Sequence, residues 1–152
     1  MAMSAPDFEQ LATILATRDN AVAGLTHAEL LELERGLGGM RLPLAYRDFM
    51  KRMGRDAGPL LAGTDAFYPQ IIDYQAEAWE LVSDEKIGHL VPAESIIFAT
   101  HQGYQIYWMS SEAGDDPPVF MYQENDQKIS RRWESFSEFV YGEFERFHSG
   151  RQ

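Results

Sequence analysis

The chain has 152 residues, a net charge of −11, no cysteine, 45% hydrophobic residues and 24% charged ones. That is about one domain with enough length to bury a core, and a chain without cysteine has neither a disulfide framework nor thiolate chemistry. So large an acidic excess argues against nucleic acid and anionic membrane surfaces as partners and favours basic ones.

Ser4-Ala5-Pro6-Asp7 reads as a helix start with Ser4 as cap, and Phe8, Leu11, Ile14 and Leu15 follow at helical spacing to about Thr17. Residues 18–25 read as a connection ending in Gly24. Thr26-His27-Ala28-Glu29 has the form of a capping box, with Leu30, Leu31, Leu33 and Leu37 as the apolar stripe behind it. Gly36, Gly38 and Gly39 suit the end of that helix. Leu42-Pro43 opens another, with Pro43 near the first position and Tyr46, Phe49, Met50 and Met53 on one face, closed by Gly54. The methionines read as core fillers.

Residues 54–70 hold three glycines and two prolines and read as irregular, with at most one short strand. Ile71 to Val82 fits a helix, with Ile71, Ile72, Ala78, Trp79 and Val82 inward and Gln75 as the exception. Asp73, Glu77, Glu80 and Asp84 fall on its open side. The Ile71–Tyr74 portion also fits an extended segment.

Ala93 to Tyr122 is the stretch around which the rest is arranged. Ser95–Thr100, Tyr104–Met109 and Val119–Tyr122 are short runs rich in Ile, Val, Phe, Tyr and Trp, separated by turn residues. They predict a three-stranded antiparallel meander. Lys128–Trp133 predicts a fourth strand after the Glu124-Asn125-Asp126 turn. In the second strand Tyr104, Ile106 and Trp108 alternate with Gln105, Tyr107 and Met109, so either both faces are covered or one is a binding surface. Ser135-Phe136-Ser137-Glu138 is a second capping box, and Phe136, Phe139, Val140, Phe144 and Phe147 form an aromatic helix stripe that ends near Gly150.

The charge is unevenly spread. Residues 1–60 carry 8 acids and 7 bases, residues 61–126 carry 12 acids and one base, Lys86, and residues 127–152 carry 4 acids and 5 bases. The excess therefore sits in the segment that holds the meander. The sequence MAMSAPDFEQ at the start has no basic and apolar pattern of a secretory signal, and no apolar run approaches the ~18 residues of a membrane span. A cytoplasmic location and no membrane contact are expected. No repeat or linker divides the chain, so residues 1–152 are expected to form one domain, with 1–25 an N-terminal helical extension and 26–147 the core.

Chemistry is sparse. There is no GxGxxG, P-loop, GxSxG or HExxH pattern. His27, His89, His101 and His148 are scattered among loops and helix ends, and a lone turn histidine is more often solvated than catalytic. His89, Glu94 and His101 are the set that could converge on a metal, but their spacing matches no known site. The adjacent acids Asp84-Glu85 and Asp115-Asp116 read as solvated turn residues before acid–base pairs. Asp115-Asp116-Pro117-Pro118 fits a stiff turn. Trp79, Trp108 and Trp133 read as core or half-buried, with Trp108 foremost as an interface anchor. No cofactor, metal or catalytic residue is expected.

Four features stand in a familiar order: GLTHAELLELERGLGG; Leu42-Pro43-x-x-Tyr46-x-x-Phe49 followed by Gly54; the strands IIFAT and YQIYWM around Gly103; and Pro118-Val119-Phe120, then Ser135-Phe136-x-Glu138-Phe139. Together, over roughly residues 26–147, the chain resembles the SUKH superfamily, which contains the fungal cell-wall assembly regulators of SMI/KNR type and many bacterial immunity proteins. The Thr100–Gly103 hairpin has less glycine than many relatives, and Met53-Gly54 stands where they carry Asn-Gly or Gly-Gly. The resemblance implies an α+β fold, a mainly antiparallel sheet of about four to six strands with helices packed around it. It implies no enzyme activity and a protein partner, in bacterial members a polymorphic toxin, often a nuclease or deaminase. The fungal members suggest the alternative, a regulatory scaffold binding a host protein, and a small-molecule-binding domain is the third reading.

The acidic segment supplies the expected contacts to a basic toxin domain: Asp65, Asp73, Glu77, Glu80, Asp84, Glu112, Asp115, Asp116, Glu124 and Asp126, with Tyr104 or Trp108 as apolar anchor. The sequence does not speak to oligomeric state.

Overall fold

The computed structural model describes residues 8–16 and 22–149, with side chains as far as 146. The expected cap at Ser4, the helix end at Thr17, the Phe147 and His148 side chains and the stop at Gly150 lie outside these. Among the described residues the chain forms an α+β fold. Its elements are α1 (Phe8–Leu15), β1 (Val22–Ala23), α2 (His27–Gly36), α3 (Leu44–Met53), β2 (Asp56–Ala57), α4 (Gln70–Asp73), α5 (Gln75–Asp84), β3 (Ser95–His101), β4 (Gln105–Ser110), β5 (Val119–Gln123), β6 (Arg131–Trp133) and α6 (Phe136–Ser149).

The four strands β3-β4-β5-β6 form an antiparallel meander in sequence order, as the spacing of the apolar runs predicts. The last strand is shorter than Lys128–Trp133. The Asp126 carboxylate accepts from the Ser130 hydroxyl at 2.6 Å, and that hydroxyl accepts from the Gln123 amide at 2.8 Å, which holds residues 126–130 in a turn. A two-stranded sheet, β1 with β2, was not foreseen from residues 18–25. Two-residue strands carry no periodicity to read.

Both faces of the meander are covered. One meets α1, α2, α3, α4 and α6 in the larger core, built from residues such as Leu33, Tyr46, Phe49, Phe98, Met109 and Phe139. Phe136 stands at its centre, edge-on to Tyr46 at 5.5 Å and to Phe49 and Phe98 at 5.6 Å. Each such pair adds about 0.5–1.5 kcal/mol to the area it buries. The other face meets α5 and the segment after it in a smaller core of Ala78, Val82, Ile87, Val91, Ile97, Ile106, Trp108 and Tyr122.

The caps form as the residues dictate. The Glu29 amide donates to the Thr26 hydroxyl at 3.1 Å and the Thr26 amide to the Glu29 carboxylate at 2.9 Å, while the Glu138 amide donates to Ser135 Oγ at 3.0 Å. Pro43 sits at the cap of α3, one residue before the position predicted. On α2, Leu30, Leu33 and Leu37 are buried, but Leu31 is 43% exposed, because residue 31 falls off the stripe that faces α3. Gly38 and Gly39 take positive φ after the helix.

The helix predicted over Ile71–Val82 is broken at Tyr74. Ile71 enters the larger core and Ala78 and Val82 the smaller, so the break carries the chain around β3, the edge strand, from one face to the other. The edge itself is occupied. Asp65 forms a two-way backbone bridge with Thr100, at 2.7 and 3.1 Å, and the Gln75 side chain donates to the Ile97 carbonyl at 2.8 Å. Covering part of an edge in this way lowers its capacity to pair with another strand.

Candidate functional site, an acidic ridge at one end of the sheet

A meander alternates its ends. The β3–β4 tip (102–104) and the β5–β6 turn (124–130) lie at one end of the sheet, and the β4–β5 loop (111–118) lies at the other. The acidic segment predicted as one surface is therefore divided.

At the first end, α5 crosses the sheet. On α5, Glu77, Glu80 and Asp84 are exposed at three- and four-residue spacing, the spacing that makes a ridge, while Asp73, also exposed, ends α4 on the other side of the break at Tyr74. Glu77 shares a small crevice with Tyr74, Thr100 and Gly103, which places the ridge beside the β3–β4 tip. At the other end of α5, Glu85 accepts from the Tyr122 hydroxyl at 2.8 Å and from the Asn125 amide at 2.7 Å. The clamp brings the exposed Glu124 and Asp126 to the foot of the ridge. Burial, with the Glu85 carboxylate adding to it, pushes the Tyr122 phenol above its ordinary value, so it stays a donor. Tyr104 is half-buried between tip and turn. Its carbonyl accepts from the Glu124 amide at 2.8 Å and its hydroxyl donates to Gln102 at 3.0 Å.

Glu85 is the residue that sequence reasoning missed. It read as half of a solvated Asp84-Glu85 pair, and its partners are 37 and 40 positions away, beyond any local pattern.

At the opposite end the acids have structural work. The Asp116 carboxylate accepts from the Ser137 amide at 2.9 Å in the first turn of α6, and the Asp115 carbonyl accepts from the Ala45 amide at 2.8 Å in the first turn of α3. Two helix N-termini thus meet one acidic loop, a favourable placement of negative charge. Glu112 is exposed on the same loop, far from the ridge. Asp65 is half-buried and engaged through its backbone at the β3 edge.

Trp108 is not at the surface. It is 2% exposed, in the smaller core, stacked at 5.7 Å on Phe120. A partner cannot touch a side chain that α5 covers, so of the two anchors named from sequence only Tyr104 is reachable. The three residues weighed as a metal set are also apart. Glu94 precedes β3 and His101 ends it, a separation of roughly 20 Å of extended strand. Among the described residues no three His, Cys, Asp or Glu side chains converge as a metal site requires, and no helix is long and apolar enough to cross a membrane.

The ridge is unneutralised. Among the described residues the ion pairs are Arg52–Asp48, Arg55–Glu29 and Arg146–Glu143, none of them on it. Its geometry offers a row of carboxylates and one amphipathic phenol to an incoming basic surface.

Comparison with known families gives a match over residues 24–142, from the turn before α2 into α6, to the group described as the SMI1 / KNR4 family (SUKH-1). The whole ridge lies inside the matched region. No curated protein matches the chain.

Proposed function

The chain belongs to the SMI1 / KNR4 family (SUKH-1), and from that premise we propose that it is a non-catalytic protein-binding domain of immunity type, which blocks a basic toxin domain through the ridge of Asp73, Glu77, Glu80 and Asp84 with Glu124, Asp126 and Tyr104. The observation that carries the reading is the ridge: exposed carboxylates in a row, in none of the ion pairs among the described residues, clamped to the 124–126 turn by Glu85. A toxin that acts on nucleic acid needs a basic cleft, and a row of fixed carboxylates competes for it as phosphates would. The location is that of the toxin's producer, the cytoplasm. Charge of this kind acts mainly on the rate of encounter and its salt dependence.

The test is affinity capture from the native host with a salt gradient. Elution at moderate salt of a protein with a basic, toxin-like domain is the expected result, lost in a Glu77→Lys, Glu80→Lys, Asp84→Lys variant. Capture of an envelope or signalling protein by the same ridge would assign the domain to a regulatory scaffold. Capture that is indifferent to both salt and the triple variant would overturn the ridge as the interface.

A further inference from the structure

The face of the sheet turned away from the ridge carries a second feature. An open cleft of about 520 Å³ lies between the 59–64 loop, the strands and the last turns of α6. Its size is that of small-ligand sites. Unlike the ridge it carries cations, Arg131 from β6 and Arg146 from α6, with the Glu143 carboxylate beside Arg146 and His101, Gln105 and Tyr107 between the arginines.

These groups are already oriented. The Arg131 guanidinium rests 4.5 Å from the centre of the Trp133 ring, a cation–π contact that restrains the side chain at the rim of the cleft. Gln105 is held from both ends, donating to Gln123 at 2.6 Å and accepting from the Tyr107 hydroxyl at 3.4 Å. Burial, with the Glu143 carboxylate next, pushes the Tyr107 phenol above its ordinary value, so it remains protonated. His101 Nδ1 stands 3.4 Å from Thr64 Oγ1. Arg146 is paired through Nη2 with Glu143 at 3.3 Å; the Arg146 side chain is largely exposed, whereas the Glu143 side chain is mostly buried and lines the same cleft. A guanidinium has five donors, so the pair leaves others for a ligand.

The wall opposite carries strain. Leu61 takes φ 59°, a left-handed conformation that is costly for a bulky residue, in the loop that closes the cleft. Its side chain is buried in the larger core and holds the loop there.

We propose that this cleft is a binding site for a small ligand bearing an oxyanion, a carboxylate or a phosphate. Arg131 supplies one guanidinium fork, Arg146 adds the donors that its Glu143 pair leaves over, and His101 lines the far side. Guanidinium geometry matches both kinds of oxyanion two bonds at a time. The site is independent of the ridge and of its partner.

The test is NMR of the arginine side-chain Nε–Hε signals in the intact chain, at constant ionic strength, titrated with citrate and separately with inorganic pyrophosphate. Saturable shifts at Arg131 and Arg146, with Arg47 on α3 unmoved, are expected for at least one probe. A response to citrate alone assigns a carboxylate ligand, to pyrophosphate alone a phosphate, and to both the shared chemistry. Arg131→Gln and, separately, Arg146→Gln should each weaken the apparent affinity at least fivefold, and the second lies on an exposed helix turn where folding is not at stake. Shifts that do not saturate, or that appear equally at Arg47, would overturn the site.

Discussion

The side-chain amide of Gln75 donates at 2.8 Å to the carbonyl of Ile97, beside the bulge where the register of β3 against β4 slips between Ile97 and Ala99. The same amide reaches the Ile71 carbonyl at 3.3 Å. Gln75 is the one polar residue in an otherwise apolar helix stripe, and this contact is its reason. It ties the break between α4 and α5 to the edge strand, and so fixes the direction in which α5 presents its acids.

Gln75→Leu should therefore lower stability by about 1–3 kcal/mol, the cost of a buried carbonyl left without a donor. Denaturant unfolding measures it. Hydrogen exchange should speed first along α5 and β3. An unchanged midpoint would show that the contact contributes nothing.

Tyr46 makes the opposite case. Its hydroxyl is buried and has no hydrogen-bond partner among the described residues. Tyr46→Phe should raise stability, by about 1 kcal/mol. A loss instead would mean that the hydroxyl holds a bound water. The same residue sets a pH limit. Unfolded, it loses its proton near pH 10, whereas burial holds the proton on far above that value in the folded chain. Below pH 10 both states are protonated and the group adds no pH dependence. Above it only the unfolded state releases the proton, so stability falls as pH rises, by about 1.4 kcal/mol per pH unit for this residue. Alkaline unfolding of Tyr46→Phe should show a shallower slope than the parent.

Gly24 is fixed by packing. A Cβ there would stand 1.8 Å from the Lys51 carbonyl oxygen, backbone that has no room to move. Gly24→Ala should cost about 1–3 kcal/mol and part β1 from α3. A melting temperature equal to that of the parent would refute this close approach.

The divided acidic segment predicts divided effects. The Glu77→Lys, Glu80→Lys, Asp84→Lys variant should slow association with the captured partner at least tenfold at low salt and leave stability nearly unchanged. Asp116→Ala should do the reverse. It removes the acceptor for the Ser137 amide and costs about 1 kcal/mol of stability, with association unaltered. Stopped-flow association beside thermal unfolding separates the two. Loss of binding in Asp116→Ala alone would move the interface to the other end of the sheet.

Much of the fold was legible because its signals are local. The Thr26–Glu29 box, the Tyr46-Phe49-Met50-Met53 stripe, the alternating runs of the meander and the Phe136-Phe139-Val140 stripe each span a few residues and follow backbone periods. The order of those elements sufficed for the family. The exposed carboxylates Glu77, Glu80 and Asp84 were also readable, since helical spacing puts them on one side of α5; Asp73 was counted with them but lies on α4, across the break at Tyr74.

Other features needed the tertiary structure, because they join residues distant in sequence. Charge counted along the chain placed Asp115 and Asp116 with Glu124 and Asp126, but an antiparallel meander sends alternate turns to opposite ends of the sheet. Trp108 reads from sequence as core or half-buried and as the foremost interface anchor, and only α5 closing over it decides for the core. The clamp from Glu85 to Asn125 and the meeting of His101, Arg131 and Arg146 in one cleft have no local pattern at all. The sequence determined which elements form and which of their faces are apolar, since propensity and period are properties of neighbouring residues. Only the packing of those faces decided which charges meet, since that depends on which end of the sheet each turn reaches and which helix covers it.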